Sequence, residues 1–121
     1  MRSSAARLAV LLVALVTVIL SAVVLRAEPE PYVVTAIDYH FHDAHPTRPL
    51  VPGQDFVVEN QGRNLHNVTI PALGFSEDVR AGDRVTIEDI ADRLDPGRYE
   101  LVCRIHEASF GMVGVIVIAD S

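Results

Sequence analysis

Two hydrophobic patterns divide the chain. Residues 8–25 pass without a charge and are interrupted only by Thr17 and Ser21. Polar residues do not recur there every 3.6 positions, as they would on a helix with one face in water. The run therefore predicts a helix that is apolar all round. After Ala27 the pattern changes to short stretches with the period of two that a β-strand needs. Residues 32–41 alternate, with Val33, Thr35, Ile37, Tyr39 and Phe41 on one face. Residues 55–60 follow, with Phe56 and Val58 on one side, and then residues 66–70, 75–79 and 85–87. Residues 99–103 place Tyr99, Leu101 and Cys103 on one face, and residues 113–118 form a continuous apolar run suited to a buried closing strand. Pro52-Gly53, Gln61-Gly62-Arg63, Arg80-Ala81-Gly82-Asp83 and Asp95-Pro96-Gly97 punctuate these stretches as turns. Residues 90–94 read as a helical turn or a loop. Many short strands at regular spacing predict an all-β sandwich, preceded by one N-terminal hydrophobic helix.

The expected organisation is a signal anchor or signal peptide over residues 1–27, a stiff tether at Glu28-Pro29-Glu30-Pro31, and one domain over residues 32–121. An uncharged run of this length lies at the short end of what spans a bilayer and above the usual apolar part of a signal peptide. Leu25-Arg26-Ala27 puts a bulky residue where cleavage wants a small one, which favours a retained anchor. Arg2 and Arg7 put the N-terminus in the cytoplasm and the domain outside, either anchored at the outer face of the membrane or periplasmic or extracellular if cleaved.

Charge narrows the function. All sixteen acidic residues follow Ala27, against seven arginines and no lysine, so residues 28–121 carry a formal charge of −9. A phosphate backbone would repel such a surface, which excludes nucleic acid as a partner. Cys103 is the single cysteine, so outside the cell it has no partner for an internal disulfide. It is a buried inert thiol, an intermolecular link or a metal ligand.

The residues around it favour the last. Cys103, His106 and Met112 fall within ten residues, and His66 stands upstream in Asn64-Leu65-His66-Asn67. Two imidazoles, a thiolate and a weak axial thioether are the donor set of an electron-transfer copper. His106-Glu107 has no second His at the spacing of a zinc protease. His40, His42 and His45 form a second cluster, with His40 and His42 on one strand face; it is a candidate for a weak second metal site, although a solvated strand edge is the plainer reading.

From about Tyr32 to Ala119 the chain resembles the cupredoxins, the small blue copper proteins of plastocyanin and azurin type. Three motifs carry the resemblance: Asn60 to His66-Asn67, Pro96-Gly97-Arg98-Tyr99-Glu100-Leu101-Val102-Cys103, and Cys103-x2-His106-x5-Met112-Val113-Gly114. The resemblance implies a Greek-key β-sandwich holding one type 1 copper ion through His66, Cys103, His106 and Met112. It implies that Asn67 ties the two ligand loops together, and that Tyr99 anchors a corner through its hydroxyl. Five residues separate His106 from Met112, where the family more often has two to four, so the resemblance implies a longer axial contact or a shifted potential. Partners would be redox proteins such as a cytochrome or a terminal oxidase, docking near His106 beside the apolar Ala108 and Phe110. Two functions stay open: a membrane-tethered carrier of single electrons, or a module for copper delivery or storage. Copper enzymes of this superfamily need ligands from further domains, so the chain is not expected to be an enzyme.

Overall fold

The alternating stretches fall into two four-stranded sheets in the computed structural model, which describes residues 4–24, 27–44 and 47–120, with side chains in the first helix described only to Thr17. One sheet has the order β2-β1-β3-β6, from His40–His42, Tyr32–Ile37, Phe56–Asn60 and Arg84–Ile87. The other has the order β5-β4-β7-β8, from Phe75–Val79, His66–Ile70, Gly97–Val102 and Val113–Ile118. All named pairings are antiparallel except β1 with β3, which run parallel from Tyr32↔Phe56 to Ala36↔Asn60. The fold is thus the expected β-sandwich with one N-terminal helix.

The inner faces of the two sheets share one core. Tyr32, Val34, Ala36, Phe56, Val58, Val85 and Ile87 from the first sheet join Val68, Ile70, Leu101, Ile116 and Ile118 from the second. Burying each large side chain contributes about 1.5–3 kcal/mol. Leu50 closes one end through a parallel bridge to Ile118. Tyr99 packs on this core and donates its hydroxyl to the Asp95 carbonyl at 2.7 Å, so the corner is anchored as expected.

The first stretch departs from its expected form. Residues 32–41 are not one strand: β1 ends at Ile37 and β2 starts at His40, with Ile37 paired to His40. Asp38 and Tyr39 form the two-residue turn between them, both with positive φ (46° and 66°), as hairpin turns of the mirror-image types require. Tyr39 therefore leaves the face that alternation gave it. The core-facing residues of β1 are Tyr32, Val34 and Ala36, and Val33 is exposed. Residues Ile90–Arg93 take the helical-turn option as α2.

The N-terminal helix α1 runs Ser4–Val24, 21 residues. Its described apolar side chains, Leu8, Val10, Leu11, Leu12, Val13, Leu15 and Val16, are all more than half exposed. Among the described residues no helix is long and apolar enough to cross a membrane. The side chains of residues 18–25, the second part of the apolar run, lie outside those described, as do Arg2 and Arg26. Residues 27–31 have no regular structure, and the Gln54 side chain donates to the Glu30 carbonyl at 2.7 Å.

Candidate metal centre

His66 opens β4, a strand whose five residues are all buried. Its loop is set by Asn60, at the end of β3. The Asn60 amide donates to the carbonyls of Asn64 and Val79, each at 2.8 Å, and its Oδ1 accepts the Gly62 N–H at 3.0 Å. Gly62 matters for closeness: a Cβ there would stand 3.4 Å from both His66 Nε2 and Asn60 Oδ1. These contacts seat the imidazole with no solvent exposure, and neither ring nitrogen has a hydrogen-bond partner. Burial, then the neighbouring charge on His106, push its pKa below the ordinary histidine value, with Asp38 opposing. The ring therefore stays neutral near pH 7, with a lone pair available.

Cys103 follows the last residue of β7 and is fully buried. Its carbonyl accepts the N–H groups of His106 (3.1 Å) and Glu107 (2.8 Å), which folds the loop back at once. A single helical turn, α3, spans Glu107–Phe110 and ends on Gly111 in the left-handed conformation, φ 63°. Cys103 then pairs through its N–H with the Met112 carbonyl at 3.1 Å. The five-residue spacing is thus wound into a turn, and Met112, fully buried, comes back beside Cys103 despite the longer loop. His106 Nδ1 lies 3.5 Å from Cys103 Sγ.

The result is one cluster. Donor atoms of His66, Cys103 and His106 all lie within 4.8 Å of one another. The two imidazoles meet edge to face with centroids 5.1 Å apart.

Asn67 adjoins this cluster. Its backbone N–H donates to Cys103 Sγ at 3.3 Å. Its side-chain oxygen accepts from Thr69 Oγ1 (2.6 Å) and the Arg104 N–H (3.5 Å), while its amide donates to Asp78 (2.8 Å) and Ser76 (3.3 Å). One buried amide thereby links β4, β5 and the residue after Cys103. Sequence reasoning missed Thr69, Ser76 and Asp78, because their approach depends on the β4–β5 register, Asn67↔Asp78 and Thr69↔Ser76. Tyr39 was missed as well. Its ring stacks on Phe110 (3.8 Å, 5°) and meets His106 edge to face at 4.8 Å.

The second histidine cluster stays apart. His40 and His42 are exposed on the edge strand β2, with ring centroids 5.9 Å apart, and His40 Nδ1 lies 2.9 Å from the Asp38 carbonyl. Among the described residues no third ligand joins them, and His45 lies outside those residues.

The donor set fits copper. Each buried His66 ring nitrogen without a partner is destabilising by about 1–3 kcal/mol, and a metal bound at one of them would relieve that one. A soft cysteine sulfur beside two imidazoles and a buried thioether selects copper over harder ions. A family model described as cupredoxin-like domain matches residues 8–118. The chain belongs to the cupredoxin-like family.

Solved structures agree on the fold. An oxidised mutant of amicyanin shares 17% identity with this cupredoxin at a TM-score of 0.57, over 74% of this chain and 82% of the other. A purple cupredoxin from Nitrosopumilus maritimus shares 14% at a TM-score of 0.53, over 73% and 99%. A copper-containing nitrite reductase from Thermus scotoductus SA-01 shares 18% at a TM-score of 0.59, but this chain spans only 24% of it. Among curated proteins none matches in sequence. In this cupredoxin, His66, Cys103, His106 and Met112 are positioned to hold a single copper ion.

Proposed function

We propose that this cupredoxin carries single electrons at the outer face of a membrane, tethered through residues 8–25. The observation that carries the reading is that buried His66, whose ring nitrogens have no hydrogen-bond partner, brings one donor atom within 4.8 Å of those of Cys103 and His106. Copper in such a donor set cycles between Cu(II) and Cu(I). The chain's own part is rigidity. His66 is delivered by a strand, Cys103 by the end of another, and His106 and Met112 by a loop pinned to Cys103 through backbone hydrogen bonds. Little of this has to move when charge changes, and a small reorganisation is what fast electron transfer requires.

Burial separates carriage from delivery. His66, Cys103 and Met112 have no exposure, so a metal held there is released slowly and meets no substrate from those sides. That favours a carrier over a delivery module or an enzyme. His106 is the one donor residue that is only half-buried, and exposed Phe110 beside it offers an apolar contact for a redox protein partner such as a cytochrome or an oxidase. Tethering is supported by the uncharged run of residues 8–25 and by the exposed apolar side chains of α1, which need cover.

The test is the visible absorption of the protein with one equivalent of Cu(II), for wild type and Cys103→Ala. An intense blue band that bleaches reversibly with a mild reductant and is absent from the variant is expected. A colourless, folded wild type would overturn the reading.

A further inference from the structure

We propose that Tyr39 is a positioning residue for the metal centre, fixing the plane of His106 from outside the donor set. Asp38 and Tyr39 both have positive φ (46° and 66°), in a two-residue hairpin turn where Gly or Asn is the favoured occupant. A tyrosine in the left-handed region is held there by something other than local preference.

Its ring contacts supply the reason. Packed against the rim of the core, the ring lies flat on Phe110 (3.8 Å, 5°) and meets His106 edge to face (4.8 Å, 70°). Phe110 itself meets His106 at 6.0 Å. The Asn64 side chain donates to the Tyr39 hydroxyl at 3.4 Å, and the Asn64 carbonyl is held by Asn60. Tyr39 thus touches the loop that delivers His66 and the loop that delivers His106. His106 Nδ1, 3.5 Å from Cys103 Sγ, has its direction set by the ring plane. Side chains next to a ligand that fix its orientation commonly govern metal affinity by 10–100-fold. A hairpin turn that prefers glycine has been given an aromatic residue that packs on the edge of the core and touches both metal loops.

This rests on the copper reading, and the experiment separates the two. Full-length wild type, Tyr39→Phe and Tyr39→Gly are compared by Cu(II) affinity, by thermal unfolding of the metal-free protein, and by NMR of the metal-free His106 ring protons. Tyr39→Phe keeps the ring and is expected to stay within about twofold of wild-type affinity. Tyr39→Gly relieves the left-handed strain, which offsets part of the packing it removes, so the metal-free protein unfolds only a few degrees lower. Its affinity nevertheless drops about 10–100-fold, and the His106 ring protons lose the shift that a neighbouring aromatic edge imposes. Unchanged His106 shifts and unchanged affinity in Tyr39→Gly would overturn the proposal. So would a loss of affinity with unchanged His106 shifts, which marks a general folding defect. A wild type that binds no copper overturns the copper reading instead. In that case the metal-free shifts alone decide whether Tyr39 fixes His106.

Discussion

At the residue scale the centre is a set of buried polar groups whose partners are unequal. Asn67 is saturated: it donates to Asp78 and Ser76 and accepts from Thr69 and Arg104. Asn67→Ala leaves the Thr69 hydroxyl and the Arg104 N–H without that acceptor, and each lost bond is worth about 0.5–1.5 kcal/mol. Equilibrium denaturation is expected to show a loss of about 2–3 kcal/mol. A loss under half a kcal/mol would mean the network is ornamental. His66 is the opposite case, with two ring nitrogens and no partner. Its folded pKa lies below the unfolded value, chiefly through burial. Between those two values the unfolded chain holds a proton that the folded chain does not. The stability of the metal-free protein therefore falls as pH drops through about 6.5 and continues to fall until the folded value is reached, by at most about 1.4 kcal/mol per pH unit. His66→Gln should flatten that slope below about pH 6.5 in denaturant titrations. A slope that survives the substitution would place its source elsewhere.

At the element scale the ligand loop shows how a chemical spacing becomes a geometry. The four donor residues are legible in the sequence because residue type and spacing are themselves the chemistry. What the spacing does not tell is how five residues between His106 and Met112 are stored. The single turn Glu107–Phe110 is too short to leave a helical period, so the sequence reads only as a longer loop. Gly111 ends that turn at φ 63°, and a Cβ placed on it would meet nothing within 4 Å. Gly111→Ala thus isolates backbone strain from crowding, and a loss of about 1 kcal/mol is expected by thermal unfolding. A neutral result would show that the loop relaxes into another ending. The β1–β2 hairpin was hidden for a related reason. Asp38-Tyr39 carries neither Gly nor Pro, and alternation continues across it through Phe41, so no signal marks the turn. Consequently Tyr39 was placed on a strand face, while the structure sets it over His106.

At the scale of the whole molecule the chain joins two parts with opposite relations to water. The sandwich buries its apolar residues in one core shared by both sheets and presents an acidic exterior, with a formal charge of −9 over residues 28–121. The N-terminal helix does the reverse: Arg7 is its only charge, and its described apolar side chains face outward. An exposed apolar helix of this kind is stable only when something apolar covers it, and under the proposed tether a bilayer is that cover. The full chain should therefore fractionate with membranes through a carbonate wash and be released by detergent. Residues 28–121 should stay in the soluble fraction with the same copper spectrum, because every donor and every core residue named above lies within them. Full-length protein recovered in the soluble fraction at its intact mass would reject the tether and leave the copper site standing. A changed copper spectrum in the shortened protein would show instead that the helix bears on the centre. That outcome would remove the separation of anchor from carrier on which this reading of the molecule depends.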